Sequence, residues 1–511
     1  MKRFWLILLS LGLVMAFSVS AFAVDVQVSG EYFAAGLYLN KTALWDQSSD
    51  VTSHHWGPYN GGWWGHRDVY TLNSEQPSTA FFYQRLRIGT DFVVSPCLKL
   101  VTQFDGMERI WGGQRSDVDA PDAHGAGTRA EAENISIRQV HIDYTSPIGL
   151  FKVGYMEDFV WGTVFGDRSS GPTSGQIQYF FQKGPFTGFV GYAKEGDNSA
   201  SAVTTGVTTT DQDFDSYRIA GIYNFKGGEV GILGLFNRNA TDKADMSWVH
   251  NPSGPPWHIW IDSGYLQNVY TIQPYFKATI GPVAIQGEFQ YWFGDAVKME
   301  NSALTGENVS IGAMSVFLDA TAKFGMFYAG GSFAYLSGDD PGTTDKVEGG
   351  VNTGGLDWNP CLIMFNNDLN YWAGNIYGYD GSELDGEMSN AWFFQGRVGV
   401  KPTPKWDIML AVSYAMADKK PAGYPNGTYG TEVDLTATYK ITNNLTYTLG
   451  GGYLFTGDYF KGYDNGQPVG TVHYVYYRGT LEHTRDSRNF TVISNDTDND
   501  FMIMNKLTLS F

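Results

Sequence analysis

The chain has 511 residues, with 34 Lys and Arg against 53 Asp and Glu and a formal charge of −19. So acidic a chain excludes a nucleic-acid partner, which demands a basic footprint, and two cysteines are too few for a disulfide scaffold. Its 62 Gly, 31 Tyr, 33 Phe and 15 Trp suit an aromatic-rich sheet protein whose strands bend and approach closely.

Lys2 and Arg3 precede an apolar run from Phe4 to Val19, and Ala21-Phe22-Ala23 supplies a small-residue cleavage site. Residues 1–23 therefore read as a secretory signal peptide, and the mature chain begins at Val24. Without Lys2 and Arg3, 32 basic residues face 53 acidic ones, a net charge of −21. No cysteine lies near the junction, as a lipoprotein would need; the first is Cys97. Length alone allows two or three domains, but no linker or composition shift breaks the chain, so residues 24–511 form one domain. That stretch also lacks a run of about 18 apolar residues, so no helix spans a bilayer. An exported chain that lives in a membrane without such helices must close a sheet on itself, giving every backbone group a partner.

In chain order, Val26 to Leu39 is strand-like, and Lys41 to Ser78 is a long polar and aromatic loop carrying Trp45, Trp56, Trp63 and Trp64. From Thr79 to Val94, Phe82, Leu86, Ile88, Phe92 and Val94 alternate with Tyr83, Arg85, Arg87, Gly89 and Asp91, so the charges share one face. After the turn Ser95-Pro96-Cys97, Leu98 to Trp111 returns with Lys99, Gln103, Asp105 and Arg109 on its polar side. The same plan repeats, with tight turns at 146–149, 183–186, 226–228, 281–282, 323–325, 402–404 and 442–444, rich in Pro, Gly and Asn, and longer loops between pairs. Val283, Ile285, Phe289, Tyr291 and Phe293 oppose Gln286, Glu288 and Gln290; Val433, Leu435 and Tyr439 oppose Glu432, Asp434, Thr436 and Thr438. Such dyads need one wet side and one greasy side.

The fold expected is all-β, a transmembrane antiparallel barrel of about 18 strands, with 16 as the alternative, long extracellular loops and short periplasmic turns. The count is open around 456–500, where Val472 to Gly479 and Phe490 to Ser494 read as a hairpin above the membrane or as a further spanning pair. The last eleven residues, FMIMNKLTLSF, put Phe501, Ile503, Leu507, Leu509 and Phe511 on one side and Met502, Met504, Lys506, Thr508 and Ser510 on the other. An edge strand of a soluble sheet has the same pattern, and the signal peptide argues against that reading.

This strand, with its terminal aromatic, resembles the closing strand of Gram-negative outer-membrane barrels. With the signal and the paired strands, the whole mature chain resembles a bacterial general porin, of the trimeric kind found in sulfate-reducing and related bacteria. The resemblance implies an outer-membrane channel for passive diffusion of small hydrophilic solutes and ions, with no cofactor. Its partners would be outer-membrane lipid and lipopolysaccharide, two further copies in a homotrimer, and the barrel-assembly machinery, which would read Phe511, Leu509 and Leu507. It also implies that the third extracellular loop, Tyr155 to Gly175, folds into the lumen. Glu157, Asp158, Asp167 and Arg168 would then sit at the constriction, facing a basic wall of Arg85, Arg87, Lys99, Arg109, Arg397 and Lys401. The loop lacks the PEFGG-like run of some enterobacterial porins. Fixed charge sorts ions by sign, and the acidic balance favours cations while the basic wall opposes them.

A sugar-specific, maltoporin-like channel is the alternative, carried by the loop Trp and Tyr residues. Enzyme motifs are missing: there is no G-x-S-x-G, no H-E-x-x-H and no phosphate-cradling Gly-rich loop. A plugged transporter is not expected, since no globular domain precedes the first strand. Asp496, Asp498 and Asp500 stack oxygens as calcium likes them, without the Gly and distant Glu of an EF-hand. His54, His55 and His66 have the chemistry of a transition-metal site but read as ordinary loop residues. No resident metal is expected. Cys97 sits on a predicted periplasmic turn and Cys361 in a long loop, at opposite rims and beyond the roughly 7 Å a disulfide spans.

Overall fold

Alternating side chains with period two produce a wall with two unlike faces, and here the wall closes on itself. The computed structural model describes residues 24–44, 78–112, 135–158, 160–167, 173–198, 212–243, 264–299, 308–350, 358–378, 382–421, 423–424, 426–462 and 497–511, and the strands named below outside these ranges by backbone alone. The signal-peptide reading of residues 1–23 lies outside the described residues.

Eighteen barrel strands occur among the described residues. In order they are β1 (Asp25–Leu39), β2 (Thr79–Ser95), β3 (Leu98–Ile110), β4 (Ile135–Ser146), β5 (Gly149–Met156), β6 (Ser174–Lys183), β7 (Phe186–Asp197), β8 (Asp213–Phe225), β9 (Gly228–Asn239), β10 (Tyr265–Ile280), β11 (Val283–Met299), β12 (Val309–Phe324), β13 (Phe327–Leu336), β14 (Ala391–Val400), β15 (Trp406–Ala417), β16 (Thr428–Lys440), β17 (Leu445–Thr456) and β18 (Asp500–Ser510). Each is antiparallel to its sequence neighbour, and β1 pairs with both β2 and β18, which shuts the ring at eighteen strands rather than sixteen. Closure removes both sheet edges, so neither flank of the sheet is left with a row of unpaired backbone groups. At the seam, the Phe511 N–H donates to the Gly30 carbonyl and the Gly30 N–H donates to the Phe511 carbonyl, at 3.0 and 2.8 Å. Gly30 is required there, because a Cβ would lie 2.7 Å from the Phe511 ring.

The two faces separate along the regular stretches of the strands. Ile219, Leu435 and Ile503 are 66, 54 and 50% exposed on the outside, while their inward neighbours Arg218, Asp434 and Met502 are at most 3% exposed. Outward apolar side chains continue around the ring through Phe82, Ile142, Val153, Ile177, Ile232 and Val412. Stacked rings Tyr217, Phe236, Tyr270 and Phe293 bridge β8 to β11 near the long-loop rim, as a membrane-interface girdle does.

The inward face is not wet throughout, contrary to the sequence expectation. Phe33, Ala35, Leu37 and Leu39 line up inward on β1 and join Phe81, Tyr83, Phe317 and Phe393 in a core cluster. The filling comes from loop 337–390 between β13 and β14. It carries a short helix, α1 (Asn367–Ala373), and contributes Ile363, Met364, Leu369, Trp372 and Ile376 to the cluster. The barrel is thus partly filled by one of its own loops.

Two smaller departures concern the loops. Within the long first loop, Val51–Tyr59 pairs with Gly62–Tyr70, and Ser487–Val492 adds to the free side of Val51–Tyr59. The segment read as one arm of a C-terminal hairpin therefore pairs with the first loop; residues 472–479 lie outside the described residues. Cys97 and Cys361 are both free, the first exposed on its turn and the second buried inside the barrel rather than at a rim.

Candidate functional site

Loop 157–173, between β5 and β6, turns inward, and one wall carboxylate holds it. Glu288 of β11 accepts the backbone N–H groups of Thr163 at 2.6 Å, Val164 at 3.3 Å, Gly166 at 3.2 Å, and Phe165. Hydrogen bonds to an ionised acceptor are the strong kind, and four on one side chain fix the loop's bend. Trp161 adds an apolar anchor: its Nε1 donates to the Gln273 carbonyl at 3.0 Å, and its ring meets Tyr275 edge-on at 5.0 Å. It packs against Phe189, Ala220, Leu233 and Leu235, an apolar patch on the inner wall of β7 to β9.

The second inserted loop is held by the same device. Glu432 of β16 accepts the N–H groups of Ile363 and Met364, both at 2.7 Å, and Gln395 Nε2 donates to the Pro360 carbonyl at 2.6 Å. Helix α1 is capped by Asn366, whose side chain accepts from the Leu369 N–H at 2.9 Å. Trp372 then lies against Tyr83 at 4.4 Å and Phe33 at 6.1 Å. Asp385 accepts from the Ile376 N–H at 2.8 Å, and burial pushes its carboxyl up to about 8. Burial, with Glu432 and Asp434 adding to it, holds the Cys361 thiol well above the usual thiol range. The two loops meet where Phe165 lies 5.4 Å from Trp358, with Phe317 touching both.

What remains of the inner wall toward β2–β5 is a ladder of paired charges. Arg87 binds Asp105 through two bonds at 2.7 and 2.8 Å; Arg138 reaches Glu157 at 2.5 Å and Asp105 at 3.8 Å. Lys99 lies 2.7 Å from Asp91 and 3.8 Å from Asp143, and Lys152 reaches Asp143 at 3.6 Å. Arg85 stands 3.8 Å from Glu108 and over the Phe33 ring at 5.2 Å. Most of these basic groups keep a quarter to a third of their side-chain surface open, enough for water and ions to reach them.

Of the loop carboxylates, Glu157 is thus paired with Arg138, and Asp158 with buried Arg218, which also binds Glu195 at 2.6 Å. They lie on the wall at the base of the loop rather than facing a cluster across the lumen. Asp167 is half-buried, and Arg168 lies outside the described residues. Arg397 is inward but joins Asp319 at 2.6 Å and Ser332 at 2.7 Å on the other side of the ring; Lys401 pairs with Asp407 at 2.7 Å at the short-turn rim. Arg109 does not belong to the basic wall. A bulge at Met107, with φ of 52°, shifts the alternation, so Glu108 and Ile110 turn inward and Arg109 shares the outer face with Gln84. Strict period-two counting cannot see a bulge.

Only part of the Asp496, Asp498 and Asp500 cluster falls among the described residues. Asp498 pairs with Lys41, Asp500 is buried and accepts from the Phe501 N–H at 2.7 Å, and Asp496 lies outside the described residues. The His54, His55 and His66 side chains also lie outside them, although the backbones of His55 and His66 face each other in register. Phe511, Leu509 and Leu507 all point outward and are exposed. Sequence reasoning missed Arg138, Arg218 and the anchoring roles of Glu288 and Glu432; the alternation marked both glutamates as inward positions.

The fold therefore defines a closed, antiparallel, eighteen-strand barrel with an apolar outside and two loops turned into its interior. No protein-family model matches the chain, and no curated protein does. Solved structures of similar architecture include a BenF-like porin from Pseudomonas fluorescens Pf-5, at 11% identity and a TM-score of 0.45, covering 95% of this chain and 99% of that one. OccAB4 of Acinetobacter baumannii gives 11% and 0.42, again covering 95% and 99%. An anion-selective porin from Comamonas acidovorans gives 9% and 0.39 over the same shares. At these identities and scores the likeness adds no functional argument.

Proposed function

We propose that the chain forms a water-filled channel in the outer membrane of a Gram-negative bacterium, passing small hydrophilic solutes and ions by passive diffusion. The observation that carries this reading is the inner wall of β2 to β5, where Arg85, Arg87 and Arg138, paired with Glu108, Asp105 and Glu157, each keep about a quarter of their side-chain surface open. Such a lining suits water and hydrated ions, while the apolar outside suits lipid. The path runs beside the wall rather than along the barrel axis, and loops 157–173 and 337–390 set its width. The sugar-specific reading wants aromatic faces open along the path. The inward rings Phe33, Tyr83, Phe165, Trp358 and Trp372 instead pack on one another. Because the wall charges are largely paired, the acidic excess of the chain sets a weak cation preference. By the resemblance of its sequence to porins, the chain works as a homotrimer among lipopolysaccharide and phospholipid, inserted by the barrel-assembly machinery, with the short turns on the periplasmic side. Liposome swelling and reversal potentials under a salt gradient test the reading. Swelling in small sugars with a cation-signed potential is expected; exclusion of every small solute would overturn it.

A further inference from the structure

One cluster on the inner wall stands apart from the charged ladder. Cys361 of loop 337–390 meets Glu432 and Asp434 of β16, and one ligand-capable atom from each lies within 4.8 Å of the other two. All three residues are buried, at 3, 0 and 3% exposure. Among the described residues no Lys or Arg pairs with either carboxylate.

Two neighbouring carboxylates out of water are costly unless a cation or a shared proton neutralises them. Glu432 accepts two backbone N–H groups and meets Asp434 side chain to side chain, and the Asp434 carboxyl also accepts from the Leu362 N–H, but its buried Oδ1 is left without a hydrogen-bond partner among the described residues. The neighbouring strand, where Gly452 is the register partner of Asp434, leaves room beside these oxygens. A Cβ at Gly452 of β17 would lie 2.7 Å from Asp434 Oδ1 and 3.3 Å from Glu432 Oε1, so the glycine keeps the space open.

We propose that Cys361, Glu432 and Asp434 bind one zinc ion, which clips the inserted loop to the barrel wall. The donor set decides the metal. One sulfur and two carboxylate oxygens suit zinc, which accepts three protein ligands and leaves its fourth position to water. Calcium and magnesium take oxygen and avoid sulfur. The sulfur comes from the loop and the oxygens from the strand, so metal binding and seating of the loop are linked.

The test uses the purified full-length barrel, stripped with a chelator, then titrated with zinc against a chromophoric competitor and with cobalt(II) followed by absorption. One ion per chain and a sulfur-to-cobalt charge-transfer band are expected. Cys361→Ser should abolish the band and weaken zinc binding by about 100-fold or more, as removal of a structural ligand does. Asp434→Asn should also weaken it, while Cys97→Ser, on an exposed turn, should leave both signals intact. If Cys361→Ser fails to fold, Cys97→Ser still decides, because its band can come only from the one remaining cysteine. No bound metal, a band lost in Cys97→Ser, or zinc binding unchanged in a folded Cys361→Ser would overturn the site and leave the carboxylates sharing a proton. These readouts do not depend on conduction, so failure of the channel reading leaves them interpretable.

Discussion

Glu288 shows how much of this interior rests on one side chain. Its carboxylate faces four successive backbone N–H groups that would otherwise be buried without acceptors. Glu288→Gln replaces one charged oxygen by a donor that faces donors, at a cost of about 2 kcal/mol to the seated loop. Larger and noisier single-channel currents are expected, read in a planar bilayer at fixed voltage. Asp385 gives the interior a dependence on pH. Burial raises its carboxyl from 3.8 to about 8, with Glu383 adding to the shift, so the seated loop favours the protonated form. A raised carboxyl contributes its full stability below the unfolded value, and loses it progressively as pH rises through the folded one. The seated loop is therefore expected to loosen between about pH 4 and about pH 8, raising proteolysis of loop 337–390 at the alkaline end; Asp385→Asn should flatten that profile.

At the scale of elements, the strands and the inserted loops obey different rules. Strand pairing is complete without the loops, because each of the eighteen strands bonds to both neighbours. Replacing residues 358–386 by a short Gly-Ser connection should leave a folded barrel, judged by its heat-modifiable mobility, and should speed liposome swelling severalfold. The same contrast explains what the sequence made legible. Period-two alternation exposed the strands, their turns and even the inward positions of Glu288 and Glu432, since those depend on neighbours two residues apart. The docking of Phe165 on Trp358, or of Trp372 on Tyr83, joins residues hundreds of positions apart and leaves no local period. Inward Phe33, Leu37 and Leu39 on β1 carried a trace of it, an apolar run on the face that should have been polar. Arg109 was misplaced because one bulged residue, Met107, reverses the faces beyond it.

For the whole molecule, closure supplies hydrogen bonding and the outward apolar face supplies membrane compatibility, while on the proposed function the inner wall supplies a route for water. On the proposed channel reading, the mature chain's excess of 21 negative charges over a largely paired lining would favour cations weakly, and raising ionic strength should reduce that preference as exposed charges are screened. The central claim is that a continuous aqueous path survives beside the two inserted loops. Single-channel recording of the purified protein in a planar lipid bilayer tests it most directly. Discrete, ohmic current steps in the wild type are expected, with larger steps once residues 358–386 are removed; a bilayer that stays silent with both chains, though each is shown folded and inserted, would contradict it.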